Sequence, residues 1–195
     1  MVNELNFREN FPKGVKITAK EFFEFTENRE ERYELIDGKI YMMAAPAVNH
    51  QRLIGFIYIK LSDYLNGKPC EPFISPVDVV LFEKNKKPDN SQNVFQPDVF
   101  VVCDPKKIGE KRINGAPDFV IEVASPSSET HDYSEKLKIY MKYGVREYWV
   151  VDPEKKEITV YCNTDEEDYK TYTFNDKVKS GVFGGFEMDF KELQI

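Results

Sequence analysis

At 195 residues, with 34 acidic against 27 basic side chains and a net charge of −7, the chain has an ordinary globular composition and the size of one domain. The acidic balance argues against a polynucleotide binder that works by overall basic charge, though not against one with a local basic face. No stretch is apolar for long enough to span a bilayer, and residues 1–7 lack the basic-then-apolar layout of a signal peptide, so the expected location is cytoplasmic, with no membrane partner.

Residues 1–16 lack periodicity and read as an extended lead-in. Thr18-Ala-Lys-Glu21 has the spacing of a capping box and opens a helix that turns Phe22, Phe23 and Phe25 inward. Asp37-Gly38 between two alternating runs, Arg32–Ile36 and Lys39–Met43, predicts a tight hairpin. In its first strand Tyr33 and Leu35 share one side and Glu34 faces the other, which by itself reads as a solvated face. After Pro46, Leu53, Phe56, Ile57, Leu61 and Leu65 repeat at helical spacing, predicting a helix over 49–65 that Asn66-Gly67 ends. His50 lies on its first turn, where a capping or solvent-facing role is the commoner one.

Pro76–Phe82 reads as a further strand with Asp78 its only charge, followed by a polar loop over 83–93. Gln96–Val102 and Asp118–Ala124 are short, nearly all-apolar runs that read as strands covered on both faces. They are joined by a basic loop, 104–116, whose lysines, like Lys84–Lys87, are expected to be solvated. A helix is predicted over 130–142, with Tyr133, Leu137, Tyr140 and Met141 in one stripe at about 100° per residue. Lys136 falls on the edge of that stripe; Lys138 and Lys142 point away. Glu147–Pro153 is another strand, 158–162 and 169–174 form a hairpin around the acidic turn 163–168, and the Gly-punctuated tail from Ser180 adds a short strand and turn. Cys70, Cys103 and Cys162 show no zinc-clamp spacing, and Cys103 is expected to be a small core residue.

Each of the two apolar runs carries one acid, Asp98 and Glu122. A carboxylate inside such a strand is costly unless a cation or strong donors meet it, and two on neighbouring strands repel. A divalent metal between them removes both problems, which makes the pair a candidate hard-cation site. The alternative is structural: Asp98 capping a strand start and Glu122 paired with a buried lysine. Lys136 has the position to place its ammonium beside such a carboxylate; a surface pair with Asp132 is the plainer role.

The order helix, strand, strand, strand, helix, strand, with acids on the second and third strands, resembles the restriction-endonuclease-like fold of the PD-(D/E)xK phosphodiesterases. More closely, the chain resembles the Uma-two family of endonucleases, through Tyr33–Gly38, Gln96-Pro97-Asp98, Ile121–Ser127, Glu135-Lys136-Leu137 and Gly144–Pro153, spread over about residues 18–190. The resemblance implies an α/β fold with a mixed sheet: an αβββαβ core over 46–153, an N-terminal helix and hairpin over 17–45, and a C-terminal β extension over 154–195, in one domain. It implies hydrolysis of phosphodiester bonds in nucleic acid, DNA foremost, with Mg²⁺ or Mn²⁺ as cofactor and a homodimer as the working form. By resemblance Asp98 and Glu122 are metal ligands and catalytic acids, the Val123 carbonyl is a further ligand, Glu34 is a third acid, and His50 touches substrate. The chain departs from the motif at Ala124, where a lysine belongs; Lys136, matching the family's Glu-Lys-Leu run, is the candidate replacement, with Lys138 the less favoured one. Two rival readings are a catalytically silent nuclease-fold module that binds or assembles, with the C-terminal strands as dimer surface, and a metal-dependent hydrolase of a small phosphoester.

Overall fold

The computed structural model describes residues 3–4, 15–125, 131–162 and 169–193. The expected lead-in, the Pro126–Ser128 turn, the start of the helix predicted from 130 and the acidic turn 163–168 fall mostly or wholly outside them. A short strand, β1 (Asn3–Glu4), comes first. The capping box forms as expected: Thr18 N–H donates to Glu21 Oε2 at 2.7 Å and Glu21 N–H to Thr18 Oγ1 at 3.4 Å, opening α1 (Ala19–Thr26). Asp37 and Gly38 take φ of 48° and 77°, the left-handed pair that the tight turn between β2 (Tyr33–Ile36) and β3 (Lys39–Met42) requires. Helix α2 (Val48–Leu65) follows, then β4 (Glu71–Ile74), β5 (Val79–Val80), β6 (Val94–Phe95), β7 (Val99–Val102), β8 (Ile113–Asn114) and β9 (Phe119–Val123). A π-helical stretch, His131–Lys136, runs into α3 (Leu137–Tyr143), which Gly144 closes at φ 93°. The chain then forms β10 (Glu147–Asp152), β11 (Glu157–Cys162), β12 (Tyr169–Thr173), β13 (Lys177–Lys179) and β14 (Glu187–Asp189).

The central sheet has the order β12-β11-β10-β9-β7-β4, with β9 and β10 parallel and the other pairs antiparallel. A parallel pair needs a crossover, and α3 supplies it. Along α2, β4, β7, β9, α3 and β10 the chain follows the expected αβββαβ order. The two-residue period of the strands divides the core. Val99, Val101, Ile121, Val123, Trp149 and Val151 pack against Leu53, Ile57 and Leu61 of α2. Phe100, Val102, Val120, Tyr148 and Val150 pack against Leu137, Tyr140 and Met141 of α3. Both runs are thus covered on both faces, as their composition demands. A second sheet, β1-β3-β2-β6-β5-β8, flanks this core, and β13 pairs with β14 separately.

Two expectations are corrected. Of Pro76–Phe82 only Val79–Val80 is strand, and it belongs to the flanking sheet; the neighbour of β7 is β4, which ends just before Ser75-Pro76. Proline, with no amide hydrogen, stands where the chain leaves one sheet for the other. Cys103 is also not a lone core thiol. Glu71 pairs with Val102, so the register carries Cys70 opposite Cys103, and the two are joined as a disulfide. Among the described residues, no helix is long and apolar enough to cross a membrane.

Candidate functional site

Asp98 stands one residue before β7 and Glu122 is the fourth residue of β9. Val99 pairs with Ile121 and Phe100 with Val120, so the same register carries Asp98 opposite Glu122. Both belong to the even-numbered face that packs on α3. The two acids meet directly: Asp98 N–H donates to Glu122 Oε2 at 3.2 Å, and Val123 N–H donates to Asp98 Oδ2 at 2.9 Å. Asp98 is 8% and Glu122 3% exposed, so each sits where a charge must be met by donors or cations.

Lys136 ends the π-helical stretch and points inward, 5% exposed, whereas Lys138 and Lys142 are on the solvent side. Its ammonium lies 3.1 Å from Glu122 Oε1 and 3.2 Å from Glu34 Oε2. Glu34 is not on a solvated strand face: all four residues of β2 are buried, because α1 covers one side and the central core the other. Glu34 Oε1 also accepts from the Gln96 N–H at 2.9 Å. From α2, His50 brings Nε2 to 3.2 Å of Asp98 Oδ2, its side chain 16% exposed at the rim. Glu34, His50, Asp98, Glu122 and Lys136, drawn from five separate segments, thus form one continuous polar chain. Val123 contributes its N–H to it, through Asp98.

Two partners escape a sequence reading. Tyr140, fully buried in the apolar stripe of α3, donates its hydroxyl to Glu122 Oε1 at 2.9 Å. Burial first, and the Glu122 carboxylate second, push its pKa well above the ordinary tyrosine value, so it stays a donor. The available signal is a Tyr one helical turn after Lys136, on the same face. Behind Glu34 lies a second polar chain: Arg32 Nε donates to Gln96 Oε1 at 2.8 Å, and Gln96 Nε2 donates to Asp78 Oδ1 at 2.9 Å. Desolvation raises the Asp78 pKa, against the Gln96 hydrogen bond. The signal was a single charge in the run 76–82.

Chemically the site offers carboxylate and carbonyl oxygens, which suit a hard divalent cation better than a soft one. Among the described residues no three His, Cys, Asp or Glu side chains are grouped as a ready metal cage. The oxygens such an ion would find here are the Asp98 and Glu122 carboxylates and the neighbouring backbone carbonyls.

The family described as "Putative restriction endonuclease", Uma2, matches residues 19–191. Two proteins of Synechocystis sp., slr1290 and sll1609, both described as uncharacterized, are similar. The first is 29% identical over 155 residues, 79% of this chain and 78% of that protein. The second is 27% identical over 139 residues, 70% of this chain and 75% of that protein. A crystal structure from Anabaena variabilis, described as "a putative nuclease belonging to DUF820", shares the fold with a TM-score of 0.73 at 18% identity, covering 91% of this chain and 97% of that one.

Proposed function

The chain belongs to the Uma2 family, and from that premise we propose that it is a divalent-metal-dependent nuclease that hydrolyses phosphodiester bonds in DNA. The observation that carries the reading is the meeting of Asp98 and Glu122 on adjacent strands beside an inward lysine. Three carboxylates in one buried hydrogen-bonded chain repel one another, and cations relieve that repulsion. Lys136 is one such cation; Asp98, Glu122 and the Val123 carbonyl would hold Mg²⁺ or Mn²⁺ as the second.

When bound, the ion supplies Lewis acidity toward a phosphoryl oxygen and lowers the pKa of a coordinated water. The chain's own residues do the positioning. Lys136 orients the attacking water and offsets charge that develops on the phosphoryl group. Glu34 holds the Lys136 ammonium together with Glu122, and Tyr140 fixes the Glu122 carboxylate. His50, at the rim, contacts the substrate. The working form is a homodimer, with the edge strand β12 as its pairing surface; sedimentation tests that part.

The test is nicking of plasmid DNA with Mg²⁺ or Mn²⁺ by the wild type, Asp98→Ala and Glu122→Ala. Cleavage by the wild type alone supports the roles; equal cleavage by all three removes them. A silent binding module is favoured by one observation: Asp98 and Glu122 already accept hydrogen bonds from Val123, Asp98 N–H, Lys136 and Tyr140. Calorimetry separates the two. No heat on adding Mn²⁺, together with a higher melting temperature for Asp98→Asn, selects the module.

A further inference from the structure

We propose that Arg32 is a substrate-phosphate clamp, aimed by Gln96 and Asp78 at a backbone phosphate next to the one being cleaved. This deepens the nuclease reading and rests on it. Arg32 precedes β2, but Met43 N–H donates to its carbonyl at 2.9 Å, which continues the β2–β3 ladder. Arg32 and Glu34 therefore lie on the same strand face, separated along the strand by roughly 6.6 Å. Gln96, two residues before Asp98, touches both: its N–H donates to Glu34, and its side-chain oxygen accepts from Arg32 Nε. The guanidinium is thus one side chain away from the acids of the site.

How it is held matters more. Its partner is a neutral carboxamide, which fixes direction without cancelling charge. Two carboxylates, Glu34 and Asp78, are hydrogen-bonded to the same Gln96, and Asp78 attracts the guanidinium from beyond hydrogen-bond distance. Arg32 Nη2 is shielded from water and has no hydrogen-bond partner among the described residues. A buried donor left in that state is destabilising, and charged donors more so. A phosphate oxygen supplies what the fold omits, and the planar fork of arginine matches two such oxygens. Nη2 is closed to water as the chain stands, so a phosphate reaches it by displacing the groups that cover it, while Gln96 holds the direction of the fork. Gln96 and Asp78 act as positioning residues.

The experiment uses the full chain in EDTA, without divalent metal, and thymidine 3′,5′-bisphosphate as probe, read by thermal shift and calorimetry. The variants are Arg32→Gln, Arg32→Lys, and Gln96→Glu, which sets a carboxylate against the guanidinium and leaves Arg32 in place. Expected is saturable binding by the wild type and about 10- to 100-fold weaker binding by Arg32→Gln and Gln96→Glu. Arg32→Lys, which keeps the charge and loses the fork, falls between. On a short labelled DNA duplex, Arg32→Gln also reduces the slope of log affinity against log salt by about one. Equal binding by all variants overturns the proposal. So does a wild type that ignores the bisphosphate while Arg32→Gln melts lower, since Arg32 is then only structural. Loss of binding in the variants, with no plasmid cleavage by the wild type, keeps the clamp and removes the nuclease.

Discussion

Lys136 sets its ammonium 3.1 Å from Glu122 Oε1 and 3.2 Å from Glu34 Oε2, bridging the two carboxylates. Lys136→Met keeps most of the stem but leaves the two carboxylates facing each other. Orphaning a buried ion pair costs about 3–5 kcal/mol, and a lost electrostatic contact in the transition state costs roughly 10²–10³ in rate. Lys138→Met, on the exposed side of α3, stays within about 0.5 kcal/mol of wild type and keeps its cleavage. Thermal melts and plasmid nicking on the two variants check this. Equal losses in both would show that the helix, and not the Lys136 ammonium, is what matters.

Tyr140→Phe removes one hydroxyl and keeps the ring. Glu122 Oε1 keeps Lys136 but loses the donor that fixes its second direction. A hydrogen bond to a charged group contributes about 1.5–3 kcal/mol. A group that orients a metal ligand typically contributes 10- to 100-fold in metal affinity or activity. Calorimetric titration with Mn²⁺ should show that weakening, with cleavage falling in step. Unchanged Mn²⁺ affinity would make Tyr140 a packing residue alone.

What the sequence displayed, and what it hid, follows from how far each contact reaches. Asp98 and Glu122 stand out because a charge inside an apolar run is a local contradiction, readable residue by residue. Lys136 was legible from the helical wheel, which placed it on the edge of an apolar stripe. Tyr140 was not, because its hydroxyl sits inside a stripe that its ring alone explains. Asp78 is marked only as the one charge in its run, and Arg32 and Gln96 carry no mark of their own; the fold, bringing positions 64 and 18 residues apart into hydrogen-bond distance, gives the three a joint role. Strand β4 was obscured by Pro72 and by the more apolar run after it. The Cys70–Cys103 bond depends on the register of that same strand, across a separation of 33 residues.

Asp78 makes a pH prediction. Burial raises its pKa most; Glu34 adds to that, and Gln96, Arg112 and Arg32 oppose it. Between the ordinary aspartate value, about 3.9, and the raised value, the folded chain binds more protons than the unfolded one. Stability contributed by this group is therefore present at low pH and lost as pH rises through the folded pKa. Asp78→Asn removes that loss. Its melting temperature should gain on the wild type as the pH is raised from about 4 to about 7. Parallel curves for the two proteins would show that Asp78 is ionised at no cost to the fold.

Glu147 opens β10 and is wholly buried, yet it lies away from the acids of the site. Its Oε1 accepts from Trp149 Nε1 at 2.6 Å; its Oε2 accepts from Ser180 Oγ and Val182 N–H, both at 2.8 Å. One carboxylate thus pins the C-terminal segment, whose Phe183, Phe186 and Phe190 help cover the α2 side of the core. Glu147→Ala removes the acceptor of Trp149 Nε1 and Ser180 Oγ and leaves Val182 N–H only Ser180 Oγ; a buried group orphaned in this way costs about 1–3 kcal/mol. Hydrogen exchange should then lose protection first over Lys177–Asp189, because that hairpin keeps only its own ladder and the aromatic contacts. Protection in β7 and β9 should fall no further than global stability does. Uniform loss across all three would mean that the C-terminal segment and the central sheet unfold as one unit.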